Sequence, residues 1–256
     1  MPPSYIIDMD GVIYHGHRLI PGALEFVNRL REGDHKFLFL TNNSQWTPRD
    51  LRHRLDGMGI VVEETAFHTA ALATADFLHS QSPGGTAYVI GGAGLTKALY
   101  DAGFTLTEQN PDYVVVGDTR SYDYEKIERA SRLILAGARF IATNLDLTGP
   151  SEDGIQPACG ALVAPIELTT GRKPYFIGKP NPLMMRTALR KLGVHSSESF
   201  MVGDRMETDI LGGTEAGMRT ILVLTGVSTR ETIESFPFRP TYVYEDVGEI
   251  PVASLS

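Results

Sequence analysis

Two aspartates stand two residues apart in Asp8-Met9-Asp10-Gly11-Val12, directly behind an apolar run that begins at Ser4. Side chains two apart in an extended segment project to the same side. Two carboxylates would therefore meet at the carboxyl end of a strand, the edge where open α/β sheets bind ligands. Burying two acids there without a cation is costly. A turn merely rich in Asp and Gly gives no reason for paired acids at that place. Three more polar clusters follow apolar runs. Thr41-Asn42-Asn43-Ser44 offers hydroxyls, amides and backbone N–H groups suited to phosphate oxygens, although a polar helix-capping loop explains these residues better when they are taken alone. In Gly178-Lys179-Pro180-Asn181-Pro182, Lys179 brings a positive charge to a helix start marked by Asn181 and Pro182. That pairing suits an anion; an isolated lysine would be solvated surface. The fourth cluster is Gly203-Asp204-Arg205-Met206-Glu207-Thr208-Asp209. A helix cap or dipole role explains Asp209 well and Asp204, at a strand end, poorly. If the strands are parallel neighbours, all four clusters converge on one edge.

The elements that must position these residues alternate strand and helix along the chain, the pattern of an α/β protein with parallel strands. Strands are expected at 4–8, 36–40, 87–90, 113–116, 139–143, 175–177, 199–202 and 220–224. Helices are expected at 22–31, 95–102, 124–136, 182–192 and 208–216, within 157–170, and from Thr47-Pro48, where a capping hydroxyl precedes a proline. The stretch Ser82-Pro83-Gly84-Gly85 reads as a linker. It places an inserted domain at 84–174, between core segments 1–83 and 175–256.

Composition narrows the classes. A chain of 256 residues with 42% apolar and 21% charged side chains matches ordinary globular usage. It is long enough for a main domain carrying a smaller one. The net charge of −8 argues against a nucleic-acid polymer or an anionic membrane as partner. It leaves phosphorylated small molecules open, since a metal ion can reverse the field inside an acidic site. One cysteine, Cys159, permits no intrachain disulfide and reads as a small buried apolar residue. The first residues carry no signal-peptide pattern and no segment has membrane-spanning length, so a cytoplasmic protein is expected. Gly91-Gly92-Ala93-Gly94 lacks the third glycine of a dinucleotide fingerprint, Lys97 standing in its place. Trp46 and the tyrosines form no stacking array, and the seven histidines, His15 and His17 among them, show no metal-ligand spacing.

At these residues the chain resembles the haloacid dehalogenase-like phosphatases. Asp8-Met9-Asp10-Gly11-Val12 is similar to the first motif, Thr41 to the second, Lys179 to the third, and Gly203-Asp204 with Thr208-Asp209 to the fourth. Ala73–Leu78, Ala142–Asp146, Pro157–Leu162 and Gly171–Pro174 look like stretches of the NagD-type subfamily, whose cap lies between the second and third motifs. The likeness covers nearly the whole chain and no catalytic position is missing.

The resemblance implies a Rossmann-like parallel-sheet core with a smaller inserted α/β cap, and a magnesium-dependent phosphatase acting on small phosphorylated metabolites such as nucleoside monophosphates or sugar phosphates. Asp8 would be the nucleophile and Asp10 the general acid and base, a division that two close acids favour. Asp8, Asp204 and the carbonyl of Asp10 would hold magnesium, with Asp209 supporting them from behind. Thr41, the Asn42 amide and Lys179 would hold the phosphoryl oxygens, Asn43 would contribute to substrate binding, and Arg205, Met206, Glu207 and Thr208 would line the loop beside the metal site. A dehalogenase would have no need of Asp10. Asn144 and Asp146 rank first among substrate contacts in the cap; an ordinary Asx-rich loop explains them equally well. Two rivals stand beside hydrolysis: transfer of the phosphoryl group to an acceptor other than water, and a non-catalytic module that binds phosphorylated ligands. Oligomeric state is not legible.

Overall fold

The computed structural model describes residues 2–151, 154–252 and 254. The chain forms two compact units. The first comprises Met1–Thr41, Leu51–His68 and Lys179–Ser256, and the second Asn42–Asp50 and Thr69–Gly178. The second is wider than the 84–174 read from sequence, because Ser82-Pro83-Gly84-Gly85 is no boundary. Its Gly85 N–H donates to the Ser82 carbonyl at 3.1 Å, a turn that joins the helix Ala70–Gln81 to the strand Thr86–Ile90 inside the unit.

The first unit is built on a six-stranded sheet ordered Tyr242–Tyr244, Arg219–Val223, Ser199–Gly203, Ser4–Ile7, Phe37–Thr41, Phe67–Thr69. Ser4–Ile7 pairs in parallel with both of its neighbours. The chain leaves it toward Phe37–Thr41 on one side and later returns to Ser199–Gly203 on the other. The strand order therefore reverses beside Ser4–Ile7, which is where doubly wound sheets open a crevice at their carboxyl ends. All four residues of that strand are buried, as expected of a parallel strand covered on both faces. On one face Tyr5, Ile7, Phe39, Phe200, Val202 and Ile221 pack with Phe26, Val27 and Leu30 of the helix Ala23–Glu32. Truncating a ring such as Phe26 to alanine would cost about 3–5 kcal/mol.

In the second unit a five-stranded sheet runs Tyr175–Phe176, Arg139–Ala142, Tyr113–Val116, Thr86–Ile90, Thr105–Leu106, and every pairing in it is parallel. The helices Ala70–Gln81 and Ala93–Asp101 pack as one pair, and Tyr124–Leu135 and Cys159–Thr170 as another. Tyr88, Ile90, Val114, Val116, Phe140 and Ala142, alternate positions on three strands, face the second pair. An antiparallel hairpin joins Thr148–Ser151 to Gly154–Pro157.

Two expectations need correction. The strand before Lys179, Tyr175–Phe176, pairs with Arg139–Ala142 in the second sheet, so it is not a strand of the core at whose end Lys179 sits. The helix expected at 208–216 is split into a wide π-type turn, Met206–Ile210, and a short helix, Leu211–Glu215. Ile210 N–H reaches back five residues to the Arg205 carbonyl at 3.1 Å, a distortion common at functional sites. Among the described residues no helix is long and apolar enough to cross a membrane.

Candidate active site

Three adjacent core strands each end in a predicted site residue. Ser4–Ile7 delivers Asp8, Phe37–Thr41 ends in Thr41, and Ser199–Gly203 delivers Asp204. Asp8 N–H donates to the Val202 carbonyl at 2.8 Å, which registers the first and third of these ends. Beyond Asp8 the chain turns on Gly11, whose φ of 81° lies in the left-handed region. A Cβ there would also stand 2.6 Å from Asp204 Oδ2, so glycine serves both the turn and the approach of the Asp204 carboxylate.

Lys179 lies at the centre of the acidic group. Its Nζ is 2.7 Å from Asp8 Oδ1 and 2.7 Å from Asp209 Oδ1. The wide turn at Met206–Ile210 carries Asp209 back toward its own start, where Asp209 Oδ2 accepts the Arg205 N–H at 3.1 Å. One carboxylate oxygen from each of Asp8, Asp204 and Asp209 lies within 4.8 Å of the others, and all three residues are buried. Asp204 Oδ2 accepts the Val227 N–H at 2.8 Å, while its Oδ1 is buried with no hydrogen-bond partner.

The electrostatics follow from burial. Desolvation pushes the Asp8 carboxyl well above the usual range, against the pull of Lys179. Asp204 is pushed up to about 7 by burial first and by the Asp209 charge second. Burial disfavours the Lys179 ammonium, but Asp209 and Asp8 more than offset it, and its pKa rises above the usual lysine value. Three buried carboxylates thus face one ammonium, two negative charges in excess when all ionise. An unpaired buried charge is costly. A carboxylate oxygen with no donor, set among crowded acids, is what a hard divalent cation with oxygen ligands would complete. The residues therefore fit such a cation.

Asp10 is partly buried, and desolvation raises its carboxyl as well. The Tyr14 hydroxyl donates to its Oδ2 at 3.4 Å, and the Arg54 guanidinium lies 4.6 Å over the Tyr14 ring. In the Arg205–Thr208 loop, Met206 packs with Ile210, Leu222 and Ile233 in a hydrophobic cluster. Thr208 is buried, and Glu207 is exposed and 3.9 Å from Arg205.

The remaining predicted residues come together in the second unit. Asn42 Nδ2 donates to Asp146 Oδ2 at 3.0 Å, and Asn144 Nδ2 to the Asn42 carbonyl at 2.8 Å. Asn144 Oδ1 accepts the Asp146 N–H at 3.1 Å. Asn43 Oδ1 accepts the N–H groups of Gln45 and Trp46, which makes it the cap of its own turn. Sequence reading missed the residue that holds this group. Asp118 Oδ2 accepts from Ser44 N–H at 3.0 Å, Ser44 Oγ at 2.8 Å and Asn144 Nδ2 at 3.1 Å, and its Oδ1 accepts from Cys159 N–H at 2.9 Å. A signal was present: Val116-Gly117-Asp118 repeats the Val202-Gly203-Asp204 string, each straight after a buried strand.

Comparison with known proteins agrees with this geometry. Residues 5–105 match the model of the haloacid dehalogenase-like hydrolases, and residues 176–250 match a second model of hydrolases of the same kind. The chain is 51% identical over 247 residues to a dihydroxyacetone phosphatase of Corynebacterium glutamicum, covering 96% of this chain and 90% of that one. It is 48% identical over 249 residues to the ribonucleotide monophosphatase NagD of Escherichia coli, covering 97% and 98%. Among solved structures, NagD from Escherichia coli superposes with a TM-score of 0.93 at 46% identity, over 98% of this chain and 99% of that one. A p-nitrophenyl phosphatase from Archaeoglobus fulgidus gives 0.92 at 37%, over 99% of each. With family models over both halves of its sheet-forming core and relatives alike over nearly its full length, this chain belongs to the haloacid dehalogenase-like hydrolases, within their NagD-type group of phosphatases.

Proposed function

We propose that the chain is a magnesium-dependent phosphatase of small phosphomonoesters that works through an aspartyl-phosphate on Asp8. The observation that carries this reading is the unpartnered Asp204 Oδ1 beside buried Asp8, in a cluster with more carboxylates than cations. Asp8, Asp204 and the Asp10 carbonyl would hold the ion. Asp209 would not contact it, since its two oxygens serve Lys179 and the Arg205 N–H. Bound there, magnesium offsets the repulsion between an anionic nucleophile and an anionic phosphate.

The chain's own residues divide the remaining work. Asp8 attacks phosphorus as its P–O bond to the leaving alcohol breaks, and Asp10 gives that alcohol a proton. Water then attacks the same phosphorus as the bond to Asp8 breaks, and Asp10 takes the proton of the water. Burial raises the Asp10 carboxyl, which favours the protonated form that the first step needs. Thr41 and Lys179 hold the phosphoryl oxygens. Relatives named as a dihydroxyacetone phosphatase, a ribonucleotide monophosphatase and an acid sugar phosphatase support nucleoside monophosphates and sugar phosphates as the substrate class. Asn144 and Asp146 are the positions to vary for specificity.

The test is phosphate release from a panel of nucleotides, sugar phosphates and short organic phosphates, with magnesium and with chelator, for the wild type and Asp8→Asn. Release that requires magnesium and vanishes in a folded Asp8→Asn is expected. Release by Asp8→Asn at the wild-type rate would remove Asp8 from the chemistry. Release that falls as an added alcohol or sugar takes up the phosphate would identify a transferase instead.

A further inference from the structure

The four clusters that mark the family leave out a fifth segment that touches one of the same acids, Asp204: Thr225-Gly226-Val227-Ser228, just beyond the strand Arg219–Val223. Two of its groups engage Asp204, and two more engage the turns on either side of the cluster. Val227 N–H donates to Asp204 Oδ2 at 2.8 Å. Ser228 N–H donates to the Asp204 backbone carbonyl at 3.0 Å. Ser228 Oγ accepts the Met206 N–H at 3.0 Å, fixing the start of the turn that carries Asp209. Thr225 Oγ1 donates to the Gly11 carbonyl at 2.6 Å, next to Asp10, whose own carbonyl is the backbone ligand proposed above.

Gly226 is the tightest point. A Cβ there would fall 1.9 Å from Asp204 Oδ2 and 2.5 Å from its Cγ. The Gly11 side is close as well, with its Cβ position 2.6 Å from the same oxygen and 3.2 Å from the Gly226 Cα. The Asp204 carboxylate is therefore clamped between two glycine backbones, held by one N–H through Oδ2, with Oδ1 left without a donor. Only a residue without a side chain leaves that plane free. Groups that orient a metal-binding carboxylate from behind govern affinity almost as strongly as the ligands themselves.

We propose that Thr225-Gly226-Val227-Ser228 is the positioning element of the metal site. It fixes the rotamer of Asp204, so that Oδ1 is presented to the cation, and ties down the Gly11 turn that supplies the backbone ligand. The proposal rests on the metal reading given above and adds to it residues outside the four motif clusters.

The test is magnesium affinity of the full chain, by calorimetric titration and by the magnesium-dependent rise in melting temperature, for wild type, Gly226→Ala, Thr225→Val and Thr225→Ser. Gly226→Ala should weaken magnesium binding about 10–100-fold while its melting temperature in chelator stays near that of wild type. Thr225→Val, which keeps the shape and loses the hydroxyl, should weaken binding by about 10-fold, and Thr225→Ser should restore most of it. The threonine pair decides the matter if Gly226→Ala does not fold. Wild-type affinity in Gly226→Ala, or equal affinity in Thr225→Val and Thr225→Ser, would overturn the proposal while leaving the metal reading intact. A wild-type chain that binds no magnesium would overturn the metal reading, and this proposal with it.

Discussion

Replacing Lys179 by methionine is the sharpest perturbation of the candidate site, because it keeps the length and the apolar stem of the side chain and deletes only the charge. Among the described residues Lys179 is the one ammonium beside Asp8, Asp204 and Asp209, and it contacts two of them at 2.7 Å. Deleting one partner of a buried ion pair leaves an uncompensated charge and costs about 3–5 kcal/mol. At about 2–4 °C per kcal/mol for a chain of this size, the melting temperature of the metal-free protein should fall by about 6–20 °C.

Magnesium should narrow that gap without closing it. The cation would restore positive charge near Asp8 and Asp204, whereas Asp209 Oδ1 would lose its partner and keep only the bond from Arg205 N–H to its other oxygen. Thermal unfolding at pH 7, in chelator and in magnesium, measures both differences, and phosphate release from the same samples measures the catalytic loss. A Lys179→Met protein that melts with the wild type in chelator would refute the claim that Lys179 neutralises the acidic cluster.

Two further outcomes follow from groups outside that cluster. His68 is pushed down to about 3 by burial and by the nearby Lys191 charge; the unfolded chain therefore takes up this proton first, and stability falls as pH falls below about 6.5. Between pH 7 and pH 5 this group alone removes about 2 kcal/mol, so the stability difference between wild type and His68→Gln should change by that amount over the same range, and a constant difference would show that His68 titrates normally. Asp118→Ala strips the acceptor from the N–H groups of Ser44 and Cys159, from Ser44 Oγ and from Asn144 Nδ2. That loss should cost about 3–5 kcal/mol by chemical denaturation, and a loss below 1 kcal/mol would mean that these donors find other partners.

Legibility in the sequence tracked how local each determinant is. The strand Tyr113–Val116 and the helix Pro182–Leu192 have the bounds expected of them. The first is a bare apolar run that stops at glycine. The second carries an Asn181 cap, Pro182 at its start and Gly193 in the left-handed region at its end. The helix Ala70–Gln81 shows no such stripe: its alanines and Thr74 are buried on several sides, so periodicity has little contrast to report. The two-residue strands Thr105–Leu106 and Tyr175–Phe176 exist only because a longer strand lies beside each of them. Nothing in Tyr175-Phe176 says which sheet it joins, and the route of the chain to Lys179 was misjudged for that reason. The acids themselves were legible because Asp8 and Asp204 each stand one residue past a buried strand. The Asp118 carboxylate and the Thr225–Ser228 segment were not, since their partners lie 22 to 214 residues away in the sequence.

Asp118 and Asp204 show what decides between the two roles that one local pattern can serve. Both follow Val-Gly at the end of a buried parallel strand, and both carboxylates take part in tight backbone contacts. Asp118 receives four donors spread over both of its oxygens, so its charge is spent on holding one loop and the start of a helix together, and a cation would have to displace those bonds to reach it. Asp204 receives one side-chain hydrogen bond, from Val227 N–H to Oδ2, and lies beside two further acids with its Oδ1 unmet. Because a buried anion without donors is costly, the shortage at Asp204 is relieved either by a proton, toward which its raised pKa leans, or by the positive charge proposed above. The distinction between a structural aspartate and the proposed metal-binding one thus lies in the donors that distant segments bring, Ser44, Asn144 and Cys159 in one case and Val227 alone in the other.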